Sequence, residues 1–315
     1  MNPTKPELPL SPAIREMKEI NRLNDQLFKF LFAREENKSL LIGFLNSVLD
    51  ASRQIEDVVY LDRESAPVLE GGKIVRFDVR ASAIDGRIFH VEVQVASQPC
   101  FFERCLYYTS HSYINQLLSG DLYIGLKPVI LVGILNFNQF GWNEGIHSCF
   151  QLIEKEKHIC GTDALEFHFF ELPKLEKSKD KLASRLWRWL RYLSSRREGS
   201  DEEMQRIAQE EPLIYEAIRQ EDLFRKDPEK LFKYMQHELD QAVYEYSLKL
   251  SKEEGIAEGE AIGKAEGKAE GKVLGKLEIV RNMLLDGIPM AQAVKYSGLP
   301  EIEVRKIAES IKSEG

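Results

Sequence analysis

The chain has 315 residues, 43% hydrophobic and 30% charged, with a formal net charge of −8; this suits a folded chain with one sizeable core plus appendages and excludes wholesale disorder. No apolar run approaches the roughly 18–20 residues that span a bilayer, so no membrane partner is expected. The acidic balance argues against a broadly basic, DNA-coating surface, and Cys100, Cys105, Cys149 and Cys160 are too few in so long a chain for a disulfide framework.

Residues 1–20 carry four prolines and no sustained periodicity. They read as a loose arm lacking the apolar stretch of a secretion signal, and a reducing cytoplasm is the expected location. Asn24 or Asp25 can cap a helix in which Leu27, Phe28, Leu31 and Phe32 fall at helical spacing. A second helix is expected over 37–49, a strand over 55–61, and a break at Gly71-Gly72. Segments 74–83 and 87–96 read as two strands joined by a turn containing Asp85-Gly86, a hairpin signal. A helix over 101–118 is ended by Gly120, and the unbroken VILVGIL at 129–135 reads as a buried central strand. Strand, helix and buried strand in that order predict a right-handed crossover in an α/β sheet.

Strands are expected over 146–153 and 165–172, then charged helical text over 175–251 with Trp187, Trp189, Leu190 and Leu193 as packing residues. Gly255, Gly259, Gly263, Gly267, Gly271 and Gly275 recur every fourth residue, a slowly drifting helical stripe that permits close approach of another helix. Each glycine costs about 1 kcal/mol relative to alanine, so this stretch is either supported by a partner or a flexible tether. Two short helices are expected around Ser297-Gly298-Leu299-Pro300.

The chemistry-bearing segment is IVRFDVRASAIDGRIFHVEVQVA, residues 74–96. Strand alternation places Arg76, Asp78 and Arg80 on one face and His90, Glu92 and Gln94 on one face of the next strand. A two-residue Asp85-Gly86 loop would set Asp78 opposite Val93 and mix polar with apolar on both faces. A three-residue Ile84-Asp85-Gly86 loop with Gly86 as a left-handed bulge sets Asp78 opposite Glu92, Arg76 opposite Gln94 and Arg80 opposite His90. That second register is the expected one. Facing carboxylates have Cβ atoms ~5 Å apart, and their repulsion is relieved by a hard divalent cation such as Mg²⁺, which also suits phosphate chemistry. The bland reading has Arg76 and Arg80 neutralising the two acids on a solvated face.

Phe77-Asp78, then Glu92-Val93-Gln94 fourteen residues later, then a helix and a buried strand, resemble the PD-(D/E)XK nuclease superfamily. More closely, the chain resembles its recombination-promoting nuclease (Rpn) branch, also described as PD-(D/E)XK family transposases. The resemblance includes Asn24-Asp25 with Phe28-Lys29 and Phe32, Phe44-Leu45-Asn46, Arg104 with Tyr107-Tyr108 and Ser110, and the run from Pro128 to Phe137. It extends to Gln116 through Tyr123, to Glu171-Leu172-Pro173-Lys174 and to the glycine-periodic tail.

The resemblance implies a restriction-endonuclease-like mixed sheet flanked by helices, cutting DNA with Mg²⁺ or another divalent cation. It makes Asp78 and Glu92 metal ligands, with the main-chain carbonyl of Val93 as a third. Gln94 stands where the superfamily usually has lysine; glutamine carries no positive charge, although it can orient a water or a phosphate oxygen. Asp25, Arg76, Arg80, Arg104 and Tyr108 are support or DNA-contact candidates, each with an ordinary alternative: a helix cap for Asp25, packing for Tyr108. Lys29 and Lys73 are read as surface lysines in preference to phosphate clamps.

The expected organisation is an arm over 1–20, a nuclease-like domain over 21–175, a helical region over 176–251, the glycine-periodic segment over 252–276 and a small helical hairpin over 277–315. His147, Cys149, His158 and Cys160 match no common zinc-finger spacing, and no glycine-rich phosphate loop is present, so no nucleotide cofactor is expected. A duplex has two strands, so a homodimer is expected. The function expected is a metal-dependent DNA endonuclease; recombination, mobile-element activity and phage defence are the settings left open. The rival is a decayed nuclease fold acting as a DNA-binding or assembly protein, which Gln94 and the acidic balance favour and the facing acids oppose. A transposase of the RNase-H-like kind requires a third carboxylate that no motif here identifies.

Overall fold

The apolar run at 129–135 forms β6 (Val129–Leu135), and all seven of its residues are buried. The structure, a computed structural model, describes residues 20–65, 74–177, 184–195 and 202–314. The expected N-terminal arm, apart from the fully buried Ile20, lies outside the described residues, as do Gly71, Gly72 and Lys73.

Two parallel neighbours flank β6: β5 (Ile88–Gln94) and β8 (Cys160–Glu171). Burial on both faces explains why no polar residue interrupts it. Outside these, β4 (Val79–Ala83) and β1 (Val58–Tyr60) continue one edge antiparallel, and β7 (His147–Ile153) closes the other. The result is a mixed six-stranded sheet of order β1-β4-β5-β6-β8-β7.

The β4–β5 hairpin adopts the expected register, pairing Arg80 with His90 and Val79 with Val91. Gly86 has φ +89°, its N–H donates to the Ala83 carbonyl at 2.9 Å, and the Ala83 N–H donates to the Arg87 carbonyl at 2.9 Å. This is the three-residue loop with a left-handed glycine.

The single strand expected over 74–83 is instead two. A short β3 (Val75–Arg76) leaves the sheet to pair with β2 (Glu64–Ser65), setting Arg76 opposite Glu64 and not opposite Gln94. Between β3 and β4 the Phe77 N–H donates to the Arg63 carbonyl at 2.9 Å, and the Phe77 ring lies 4.1 Å from that of His90. Strict alternation therefore fails at Phe77: its ring covers the fully buried imidazole of His90, outside the core that holds Val79.

Helices cover both faces. Val79, Ala81, Phe89, Val91, Ile130, Val132 and Ile134 share a core with α1 (Asp25–Phe32), α2 (Lys38–Val48), α4 (Arg185–Ser194), α5 (Glu202–Glu210) and α6 (Pro212–Arg225). Asn24, not Asp25, caps α1, its side chain accepting from the Gln26 N–H. A ring of aromatics, Phe28, Phe32, Phe44 and Trp189, joins α1, α2 and α4. The fully buried Arg22–Glu221 pair, which also engages Tyr192 and Ser195, ties the start of this region to α4 and α6.

On the opposite face α3 (Phe101–Ile114) packs Phe101 and Cys105 over Leu131, Leu135, Phe167 and Phe169. It links β5 to β6 as the expected crossover helix, but ends at Ile114, before the limit of 118 expected from Gly120, which lies in the following loop with φ +98°. Within β6, Gly133 sits between Glu92 of β5 and Phe169 of β8.

The chain divides into two compact units, 1–241 and 242–315, with the division inside the 58-residue α7 (Pro228–Leu285). In the second unit Val280 of α7 shares a small core with Ala293 of α8 (Met290–Ser297), Leu299, and Val304 of α9 (Glu301–Glu314). The six periodic glycines lie within α7 as helix, and among the described residues a Cβ added at any of them meets nothing within 4 Å. Among the described residues no helix is long and apolar enough to cross a membrane.

A Cβ at position 133 would stand 2.6 Å from Cδ1 of Phe169. Gly133→Ala is therefore expected to destabilise the fold by about 1–3 kcal/mol through overpacking, read as a lower midpoint in urea.

Candidate active site

Two carboxylates meet where β4 begins and β5 ends. Because Asp78 precedes the first ladder pair of β4, its side chain is free to turn toward the neighbouring backbone, and Oδ2 accepts the Val93 N–H at 2.8 Å. In return Oε1 of Glu92 accepts the Asp78 N–H at 3.4 Å. The arrangement is reciprocal: each acid binds backbone belonging to, or next to, the other. The expected convergence of Asp78 and Glu92 is present, although it arises from a strand break and not from a continuous ladder.

These acids are not on a solvated face. Glu92 is 6% exposed, lying under α3, and the Asp78 side chain is 22% exposed. Burial, then the charge of Asp78, pushes the Glu92 carboxyl well above its usual range; the Asp78 N–H, Arg104 and Lys29 act in the opposite direction without cancelling it. Burial likewise raises Asp78, with Asp25 adding to it, against the Val93 N–H, Lys29 and Arg104. The pair is thus short of positive charge, the condition that a divalent cation relieves.

The other expected residues separate. Gln94 ends β5, half-buried, two residues beyond Glu92. Arg104 rises from α3 near both acids; it donates to Gln98 Oε1 at 2.5 Å and its guanidinium lies 5.4 Å from the Phe101 ring. Tyr108, one turn further, sets its ring 5.5 Å from Phe77, edge to face, and its hydroxyl is pushed up by burial. Arg80 does not reach the acids: it donates to the Asp62 carbonyl and sits 5.3 Å from the Phe77 ring. Arg76 is 72% exposed on its ion pair with Glu64. The neutralisation of Asp78 and Glu92 by Arg76 and Arg80, the bland expectation, does not occur.

Asp25 and Lys29 are brought in from α1. Lys29 Nζ lies 2.5 Å from Asp25 Oδ1 and 3.8 Å from Asp78 Oδ1. The expectation of a surface lysine in preference to a phosphate clamp does not fit this position of Lys29 beside Asp78. The available signal was its place four residues after Asp25, which puts both on one helix face; nothing local revealed that the face meets Asp78.

A second cluster lies on the α2 side of β7 and β8, where ligating atoms of Cys149, Glu166 and His168 fall within 4.8 Å of one another. Its carboxylate is already saturated: Glu166 accepts from Arg53 at 2.9 and 3.0 Å, from Gln151 at 2.9 Å and pairs with His168 at 2.5 Å. Those bonds hold Glu166 near 2 despite burial.

A mixed six-stranded sheet flanked by helices is consistent with a PD-(D/E)XK fold. The chain belongs to the PD-(D/E)XK nuclease family transposases, whose family model matches residues 22–249. No curated protein and no solved structure gives a significant match.

A carboxyl whose folded pKa is raised binds more protons folded than unfolded, so its contribution to stability falls as pH climbs past the unfolded value of about 4.3 toward the folded one. In EDTA the protein is expected to lose stability over that window, and Glu92→Gln, which keeps an oxygen for the Asp78 N–H, to raise the melting temperature at pH 8. The expected gain is ~2–4 °C per kcal/mol relieved, checked by melting parent and variant at pH 5 and pH 8; equal curves at both would contradict the raised carboxyl.

Proposed function

We propose that this chain is a metal-dependent DNA endonuclease that hydrolyses phosphodiester bonds, with Asp78 and Glu92 holding a divalent cation such as Mg²⁺. The observation that carries the reading is the interlocked, charge-deficient acid pair, each carboxylate positioned by backbone. The donor set is hard oxygen, which fits a hard cation. Bound there, such an ion would supply Lewis acidity at a phosphate oxygen and a water of lowered pKa.

The remaining roles belong to the chain. Two backbone N–H groups, from Val93 and Asp78, aim the carboxylates, and the Val93 carbonyl offers a further oxygen on the same strand. Gln94 follows at the strand end, where its amide can orient a water or a non-bridging phosphate oxygen. Arg104 and Tyr108 line the α3 side and would contact the DNA backbone, positioning it without reading sequence. Asp25 completes the acidic rim from α1. The short reach of Arg76 and Arg80 toward these acids makes Arg104 the better backbone contact.

Supercoiled plasmid incubated with the full chain in Mg²⁺ should be nicked or linearised. EDTA should stop this, and Asp78→Ala or Glu92→Ala should slow it by at least about 10²-fold. Equal cleavage by parent and variants, or none by any, favours the other reading, a decayed nuclease fold that binds DNA, for which Gln94 is the motivating residue.

A duplex presents two strands, and we propose a homodimer with α7 as the joining element. The open glycine stripe supports it, since among the described residues no side chain of the same chain covers those positions. Gly263→Leu with Gly267→Leu should turn a dimeric mass in light scattering into a monomeric one. A dimer that survives both substitutions places the interface elsewhere.

A further inference from the structure

The proposed nuclease lacks a cation on β5. Residue 94, two beyond Glu92, is glutamine, and phosphodiester hydrolysis accumulates negative charge on phosphate oxygens that a neutral amide cannot offset. Arg80 and Arg76 are directed to the Asp62 carbonyl and the Phe77 ring and to Glu64, and Arg104, the flanking backbone contact proposed above, is held by Gln98 and the Phe101 ring, whereas the ion pairs of Lys29 are with the acids of the site itself.

We infer that Lys29, projecting from α1, is a catalytic residue whose ammonium contacts the scissile phosphate and supplies the charge that position 94 does not. The inference rests on the nuclease reading. Lys29 Nζ lies 3.8 Å from Asp78 Oδ1, and its side chain remains 28% exposed. It can therefore meet a ligand entering beside the acids. Asp25, one turn earlier, holds the ammonium at 2.5 Å, so the long side chain is oriented before any phosphate arrives.

The helix beneath is rigid. Leu27, Phe28, Phe30, Leu31 and Phe32 are buried, and the capping residue Asn24 donates its amide to Glu238 at 2.8 Å and to the Tyr234 carbonyl at 3.2 Å. A side chain based on such an element holds its place better than one on a loop. No bond is made or broken at Lys29; it acts as a fixed ammonium donor to a non-bridging oxygen.

The rival role is a counter-charge for Asp25 and Asp78, which added divalent ion would replace. Two readouts separate them: plasmid cleavage in Mg²⁺, and anisotropy of a labelled 20-base-pair duplex in Ca²⁺ over a salt series. Lys29→Met, which keeps the stem, should cut roughly 10²-fold more slowly. It should bind several-fold more weakly, with a salt slope lower by about one phosphate contact. Lys29→Met with Gln94→Lys should recover at least tenfold of the cleavage, and Lys29→Met with Gln94→Ala should not.

Lys29→Arg, melted beside the parent, covers the case in which the methionine variant fails to fold: retained charge should retain binding, and lost binding with an intact melt would overturn the inference. Lys29→Met that cuts and binds within twofold of the parent also overturns it, as does a double variant no better than the single. Parent and Asp78→Asn that cut alike would remove the nuclease reading separately; the Ca²⁺ binding comparison would then decide Lys29 as a phosphate contact by itself.

Discussion

Two neighbouring carboxylates that repel each other, Glu92 buried and Asp78 partly buried, are the constraint around which this protein is organised. Left alone, Asp78 and Glu92 would push β4 and β5 apart. They are held by backbone donors, the Val93 N–H to Asp78 and the Asp78 N–H to Glu92, which a continuous antiparallel ladder would have used between strands. The break at Phe77-Asp78 is therefore a requirement of the site. It takes two residues out of the ladder and sends β3 away to pair with β2.

The neighbourhood follows from that break. Phe77, no longer part of a strand, covers the imidazole of His90, whose buried nitrogens have no hydrogen-bond partner among the described residues and whose pKa is driven well down by burial. His90 is thus neutral and adds nothing to the charge of the site. Gly133, beside Glu92 on β6, leaves room for the ring of Phe169, so α3 can lie close over this face with Cys105 and Arg104 toward the acid. α1 approaches from the other side with Asp25 and Lys29. The sheet contributes Asp78 and Glu92, α3 an arginine, and α1 both an acid and a lysine.

The division of roles gives Gln94 a physical context. In a site where lysine follows the second acid on the same strand, charge and ligand come from one short motif. Here the strand carries a carboxylate and an amide, and a lysine ion-paired with Asp78 comes from an element more than forty residues earlier in the chain. Family membership shows a nuclease-type frame; the placement of charge within it belongs to this chain's own residues.

By itself the sequence determined the parts governed by local chemistry. VILVGIL could only be a buried strand, Ile84-Asp85-Gly86 set the hairpin register through its left-handed glycine, and alternation on β5 put Glu92 and Gln94 on one face. Tertiary structure decided what depends on competition between distant partners. It ended the strand at Arg76, because Glu64 and the Arg63 carbonyl offered alternative pairing. It buried the hairpin's polar side under α3, and it turned Lys29 from a surface residue into a neighbour of Asp78. Periodicity states which face of an element a residue occupies; only the packing of elements states what that face meets.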